Sequence, residues 1–197
     1  MATDEAGRYV VSATRSLAVL VLLIALGLQA GCSQAPVKSG TSPEQQVTTP
    51  PTTAPLTKEQ QAELARAGTL VQNGKLGAAA ETLSKLSEAR PERSDLKARL
   101  AWIRQQQDQI DTAMMLYRSA IAANPANTMA VNNLALLLQR AGRFEQARAV
   151  LSDGLIHAPD AAELHYNLGV LSELYLLDLK TALTEYQRYQ QLSGDDN

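Results

Sequence analysis

The chain is 197 residues long, 45% hydrophobic but only 4% aromatic, with a formal charge of −2 and a pI near 5.7. That length holds one ordinary domain plus targeting segments. The mild negative charge argues against nucleic acid, which requires a basic face, and a single cysteine, Cys32, excludes an internal disulfide.

At the N-terminus, Arg8 and Arg15 precede an uncharged run of twelve residues from Leu17 to Leu28. Such a run fits the ~7–15 apolar residues of a signal-peptide core and falls short of the ~20 that a spanning helix needs. The following Leu28-Gln29-Ala30-Gly31-Cys32 resembles a bacterial lipobox, with Gln29 where that family usually has leucine. The resemblance implies that residues 1–31 are a signal cut off before Cys32, whose thiol then carries a diacylglycerol and whose amine carries a further acyl chain such as palmitate. A free thiol is a liability in an oxidising compartment, which favours a modified Cys32 over an incidental one. Ser33, rather than Asp, after the cysteine implies anchoring on the periplasmic side of the outer membrane. The competing expectations are a secreted chain cut near Ala30 and an inner-membrane anchor.

Residues 32–57 are rich in Pro, Thr, Ser and Gln, with Pro36, Pro43, Pro50, Pro51 and Pro55. They lack the large apolar residues that offset ordering entropy, so an extended linker is expected.

From residue 58 to 192 a regular period takes over. Pro91, Pro125 and Pro159 stand 34 residues apart, each closing an amphipathic segment. Proline cannot continue a helix, so regular prolines mark regular units. Before them lie Leu76, Ala79, Ala80, Leu83 and Leu86; then Ile110, Ala113, Met114, Tyr117, Ala120 and Ile121; then Phe144, Ala147, Leu151, Gly154 and Leu155. After Pro159 come Leu179, Ala182, Leu183, Tyr186 and Tyr189. Steps of three and four predict one apolar face per helix. Partner helices are predicted near 59–73, 94–107, 128–141 and 161–176, with Gly74 and Gly142 at equivalent turns.

The pattern resembles the tetratricopeptide repeat (TPR), which pairs large apolar, Leu, small and aromatic residues with a later Ala, aromatic and Pro. The unit from Thr128 matches best, at Val131, Leu134, Ala135, Leu138, Gly142, Ala147, Leu151 and Pro159. The unit from Ser94 departs at Lys97 and Arg104, the first has Arg66 at a usual Leu place, and the fourth needs one extra residue to bring Ala182 and Tyr186 into register. The expected fold is all-α, a right-handed superhelical stack of about four units over 58–192, followed by an acidic tail at 193–197. Tyr175, Leu176, Leu177 and Leu179 at the fourth turn are read as a cap of the stack, with a homodimer contact as the alternative.

No phosphate loop, paired-cysteine site or HExxH motif occurs, so neither an enzyme nor a cofactor or metal is expected. His157 and His165 read as a helix-end residue and a packing residue. The TPR resemblance implies that the first helices line a groove that takes a peptide. By register that groove comprises Arg99, Trp102 and Gln106; Met129, Asn132, Asn133, Leu136 and Arg140; and Tyr166, Asn167 and Val170. The same register adds Asp95 and Glu163 to the groove. Of a carboxylate-gripping groove only Arg99, Asn133 and Asn167 resemble parts, so an internal segment or helix is the expected ligand. A short TPR lipoprotein resembles pilotins and accessory lipoproteins of pilus biogenesis. This implies an envelope scaffold that helps assemble or localise an outer-membrane, pilus or secretion complex. The alternative is an adaptor for an envelope enzyme or a TonB-type energy-transducing machine.

Overall fold

The computed structural model describes residues 54–194; the expected signal segment, Cys32 and most of the linker lie outside the described residues. Eight helices follow in pairs: α1 (Lys58–Gln72) with α2 (Leu76–Ala89), α3 (Ser94–Gln106) with α4 (Ile110–Ala123), α5 (Thr128–Arg140) with α6 (Phe144–His157), and α7 (Ala162–Leu171) with α8 (Leu179–Ser193). No strand occurs among the described residues, and none of their helices is long and apolar enough to cross a membrane. The expected all-helical superhelical stack is present.

Local chemistry sets the helix ends. Thr57 opens α1 with a reciprocal cap: its hydroxyl accepts from the Gln60 amide at 3.2 Å, and its own amide donates to Gln60 Oε1 at 3.1 Å. Asn127 caps α5 and Asp178 caps α8 through their side-chain oxygens. Between the helices of each pair the chain turns through the left-handed region, at Gly74, Asp108, Gly142 and, in the fourth pair, Leu177.

Packing follows a two-position code. Ala67, Ala101, Ala135 and Gly169 on the first helices, and Ala79, Ala113, Ala147 and Ala182 on the second, are all buried. Each removes the bulk that would hold the paired helices apart. Gly154 is tighter still: a Cβ there would stand 2.5 Å from Val131 Cγ1. Around these crossings the large side chains gather into two apolar clusters. One joins Leu56, Leu83 and Leu86 to Leu96, Leu100 and Ile103 on one face of α3. The other runs from Ala98 and Ala101 through α4 to α7. Trp102 and Leu116 border both.

The structure departs from expectation in the fourth unit. The helix expected over 161–176 ends at Leu171 and continues as a turn of π-helix, Ser172–Leu176, which absorbs the extra residue of that unit. Of the fourth-unit face, Ala182 is buried and Tyr186 and Tyr189 are half-buried, but Leu179 and Leu183 point to solvent. Leu183 follows Ala182 directly, a step of about 100° around the helix, and holds the outward place that Arg148 has in the third unit. The expected cap also divides: Tyr175 stacks on Phe144, with ring centroids 4.7 Å apart, and Leu176 packs on the core, whereas Leu177 and Leu179 cover nothing.

The last residues before α1 belong to the folded unit. Leu56 is buried in the first cluster, and the Arg90 guanidinium donates to the Ala54 carbonyl at 2.6 Å and the Pro55 carbonyl at 3.3 Å.

Because Ala147 is fully buried and Gly154 touches Val131, Ala147→Leu and Gly154→Ala should each lower stability by about 1–3 kcal/mol. Chemical denaturation of the purified chain checks this, and an unchanged midpoint for both would mean that these crossings yield.

Candidate peptide-binding groove

The first helices form one wall. Among the described residues α3 approaches α5 and α5 approaches α7, while no two second helices approach one another. The stack therefore curves with its first helices inside. That wall is closed from α3 to α7 but not at its start, since α1 and α3 do not come together. The gap is a cleft of about 350 Å³ walled by Leu64, Val71, Arg99, Trp102 and Met129 and floored by Leu83 and Ile103. Its openness has a sequence cause. Gly68, Trp102, Leu136 and Val170 occupy the same place in the four units, and the glycine leaves empty the space that its neighbours fill. A Cβ on Gly68 would meet nothing within 4 Å.

Three of the expected groove residues, Arg99, Trp102 and Met129, thus meet in this cleft. Trp102 is half-buried, and Arg99 is exposed and enters none of the ion pairs among the described residues. Asp95 is not available as a ligand group. The Arg93 guanidinium holds it at 2.7 Å, and this hydrogen bond keeps its carboxyl below the ordinary carboxylate range.

The remaining expected residues form a second, more polar stretch. Asn167 Nδ2 donates to Asn132 Oδ1, linking α7 to α5. Asn133 Nδ2 donates to the Met129 carbonyl of its own helix at 2.9 Å, which leaves its oxygen to accept. Leu136 and Val170, one helical turn on from these amides, are half-buried, and Gln106 and Arg140 stand exposed near the C-terminal ends of α3 and α5. Tyr166 lies apart, against the Tyr186 and Tyr189 rings of α8 at 6.1 and 5.2 Å. It extends the wall toward the last helix rather than facing Trp102.

Sequence reasoning missed the α1 side of the cleft, namely Leu64, Gly68 and Val71. The available signal was Gly68 at the Trp102 place, overlooked because the first unit reads as degenerate. His165 is buried and acts as a strut, with Nδ1 2.6 Å from Glu185 Oε2 and Nε2 2.9 Å from the Pro159 carbonyl. No group of three His, Cys, Asp or Glu stands together as metal donors among the described residues.

A curved stack of helix pairs with an apolar notch in its inner wall is a helical-repeat interaction scaffold. Two family models described as tetratricopeptide repeat match residues 64–128 and 104–169. Over that stretch the chain belongs to the tetratricopeptide repeat family, whose members bind other proteins.

Relatives agree in fold and diverge in length. Tetratricopeptide repeat protein 8 of Mus musculus is 33% identical over 93 residues, 47% of this chain and 18% of its own. Protein O-mannosyl-transferase Tmtc2 of Drosophila melanogaster is 45% identical over 52 residues, 26% of this chain and 5% of that one. The chain thus spans less than a fifth of either curated relative. A solved tetratricopeptide repeat protein from Parabacteroides merdae superposes with a TM-score of 0.60 at 22% identity, covering 70% of this chain and 55% of its own. MamA from Desulfovibrio magneticus gives 0.57 at 19% identity, covering 70% and 77%.

Trp102 borders both apolar clusters, so Trp102→Ala should cost about 2–4 kcal/mol, whereas exposed Arg99→Ala should stay within about 0.5 kcal/mol of the parent. Equilibrium denaturation separates the two, and equal small effects would make Trp102 purely a surface residue.

Proposed function

We propose that this chain is a lipid-anchored, non-enzymatic scaffold of the bacterial envelope that captures a segment of another protein on its first-helix wall. The observation that carries the binding part is the gap between α1 and α3, an apolar notch with a half-buried tryptophan on its edge. Large aromatic side chains at the margin of a desolvated pocket commonly anchor interfaces. The notch fits one large apolar side chain of the partner, and unpaired Arg99 beside it favours a neighbouring carboxylate. Farther along, the Asn133 oxygen accepts from the backbone of the same segment.

Support for the envelope placement comes from the twelve-residue apolar run and Ala30-Gly31-Cys32, with Ser33 favouring the outer membrane. In that setting the scaffold helps assemble or localise an outer-membrane, pilus or secretion complex. The adaptor reading, for an envelope enzyme or an energy-transducing machine, shares the groove and differs in outcome. Loss of an assembly factor alters multimerisation of its client, while loss of an adaptor alters the activity of an intact one.

Filling the notch tests the binding site. Gly68→Phe adds a ring where a Cβ meets nothing, and glycine costs about 1 kcal/mol in a helix interior, so the fold should be as stable as before or more so. Capture of envelope proteins by in-cell cross-linking should nevertheless fall at least about tenfold, while Arg148→Ala on the outer face should leave it unchanged. Undiminished capture by Gly68→Phe would remove the notch from the interface. For the anchor, Cys32→Ser should abolish incorporation of labelled palmitate, and equal labelling of the serine variant would place the acyl group elsewhere.

A further inference from the structure

The inner wall ends beside α8 in a cluster that the notch does not use. Tyr166 of α7 lies against Tyr189 and Tyr186 of α8, with ring centroids 5.2 and 6.1 Å away and planes tilted by 52° and 50°. Two of these rings stand where the other units have none. Tyr166 follows Leu64, Ala98 and Asn132 in the repeat, and Tyr189, counting the extra residue of the fourth unit, follows Leu86, Ala120 and Gly154. Unlike the fully buried Tyr117, Tyr166 is 47% exposed. Two carboxylates flank the rings. Glu163 precedes Tyr166 by three residues, which makes them neighbours on the surface of α7. Glu173 accepts from the Tyr186 hydroxyl at 2.7 Å through Oε2 and makes no other hydrogen bond among the described residues.

The remaining acids of the fourth unit are engaged elsewhere. Glu185 is hydrogen-bonded to His165 at 2.6 Å, and Asp160 is paired with Arg188 at 2.7 Å. Both oxygens of Asp178 serve Thr181, with Arg148 and Lys180 nearby. Among the described residues no ion pair takes in Glu163 or Glu173, and Arg140 at the end of α5 reaches neither. Burial and the Glu173 carboxylate push the Tyr186 phenol up to about 12, so it remains a donor at neutral pH.

We infer that this cluster takes an arginine side chain of the segment captured on the wall, with its guanidinium on the Tyr166 ring and its N–H groups on Glu163 and Glu173. Placing that arginine on the captured segment rests on the reading of the wall as a groove; the guanidinium site itself rests on the cluster alone. The face of an aromatic ring is negative and attracts a cation, and two carboxylates beside it repel an anion. A guanidinium suits the site better than an ammonium. It is flat enough to stack on a ring while its fork of donors meets a carboxylate, and it is more weakly hydrated. A divalent ion is a poorer match, because no group of three acidic, histidine or cysteine donors stands together among the described residues. The wall then carries opposite charges at its two ends, Arg99 by the notch and the two glutamates by α8. A segment with a carboxylate toward one end and an arginine toward the other is held in one direction only. Packed helices lie about 8–10 Å apart and an extended chain rises about 3.3 Å per residue. The two steps from α3 to α7 therefore span roughly five or six residues of that segment.

Ring NMR of the full-length, tyrosine-labelled chain in mild detergent, titrated with acetyl-arginine amide, reads the site without a partner. The Tyr166, Tyr186 and Tyr189 signals should move together and saturate with a Kd in the millimolar range, while that of buried Tyr117 stays in place. Acetyl-citrulline amide, similar in shape but uncharged, should leave all of them in place. Glu163→Gln and Glu173→Gln, both at exposed side chains, should each weaken arginine binding at least about threefold, and Tyr166→Leu at least about fivefold. Tyrosine signals that do not move with arginine, move equally with citrulline, or ignore these substitutions would overturn the site. Equal binding of acetyl-lysine amide would overturn the guanidinium. The probe does not involve the notch, so these outcomes stand whatever Gly68→Phe does to capture. Sequencing the segment cross-linked to the wall tests the placement, which fails if no arginine stands about five or six residues from the residue at the notch.

Discussion

Two packed helices come to the usual separation of about 8–10 Å only where the crossing point is free of large side chains. In this chain that condition recurs at two places per unit, Ala67, Ala101, Ala135 and Gly169 on one helix and Ala79, Ala113, Ala147 and Ala182 on the other. Everything else is arranged around those crossings. The leucines, Tyr117 and Val131 fill the space beside them, and the prolines end each unit so that the next can begin in the same relation. Where the crossing residue changes, its neighbour changes with it: Gly169 accepts the Tyr186 ring, whose Cε1 would lie 2.7 Å from a Cβ there.

The same logic explains why the inner wall opens where it does. Curvature brings first helices together from α3 onward, and the large residues at the Trp102 place close the seam. At Gly68 nothing closes it. Trp102 therefore has two roles that are linked in free energy. It borders both apolar clusters and also forms an edge of the notch. A ligand seated against it touches the junction between the first unit and the rest, and binding to the folded state alone stabilises that junction by an amount that grows with the logarithm of ligand concentration above Kd.

Much of this was legible from spacing. Prolines 34 residues apart, small residues in step with them and glycines at the turns specify helix pairs, because each reports a steric constraint that acts within a few residues. The fourth unit was less legible. Its extra residue is visible as a register slip, but whether a helix absorbs it as a π turn or a longer loop depends on contacts with Phe144 and α8. The outward orientation of Leu179 and Leu183 was misjudged for a related reason: leucine at a helical step reads as core, and only the rotation of α8 on Ala182 assigns the face. For the groove, register located the wall but not its gap, since a notch is made by what a residue lacks, and Gly68 carries no apolar signal of its own. The amides of Asn132 and Asn167, on different units, meet through the curvature that no local pattern encodes.

Arg90, at the C-terminal end of α2, grips the carbonyls of Ala54 and Pro55 and also donates to Gln60 Oε1 at 3.0 Å. A pull applied from the N-terminal side thus reaches the fold first at this guanidinium and at buried Leu56, and not at the first turn of α1. The load divides between α1 and α2, whereas a helix pulled from its own end frays turn by turn. Force entering from that side would therefore load the first helix pair as one body.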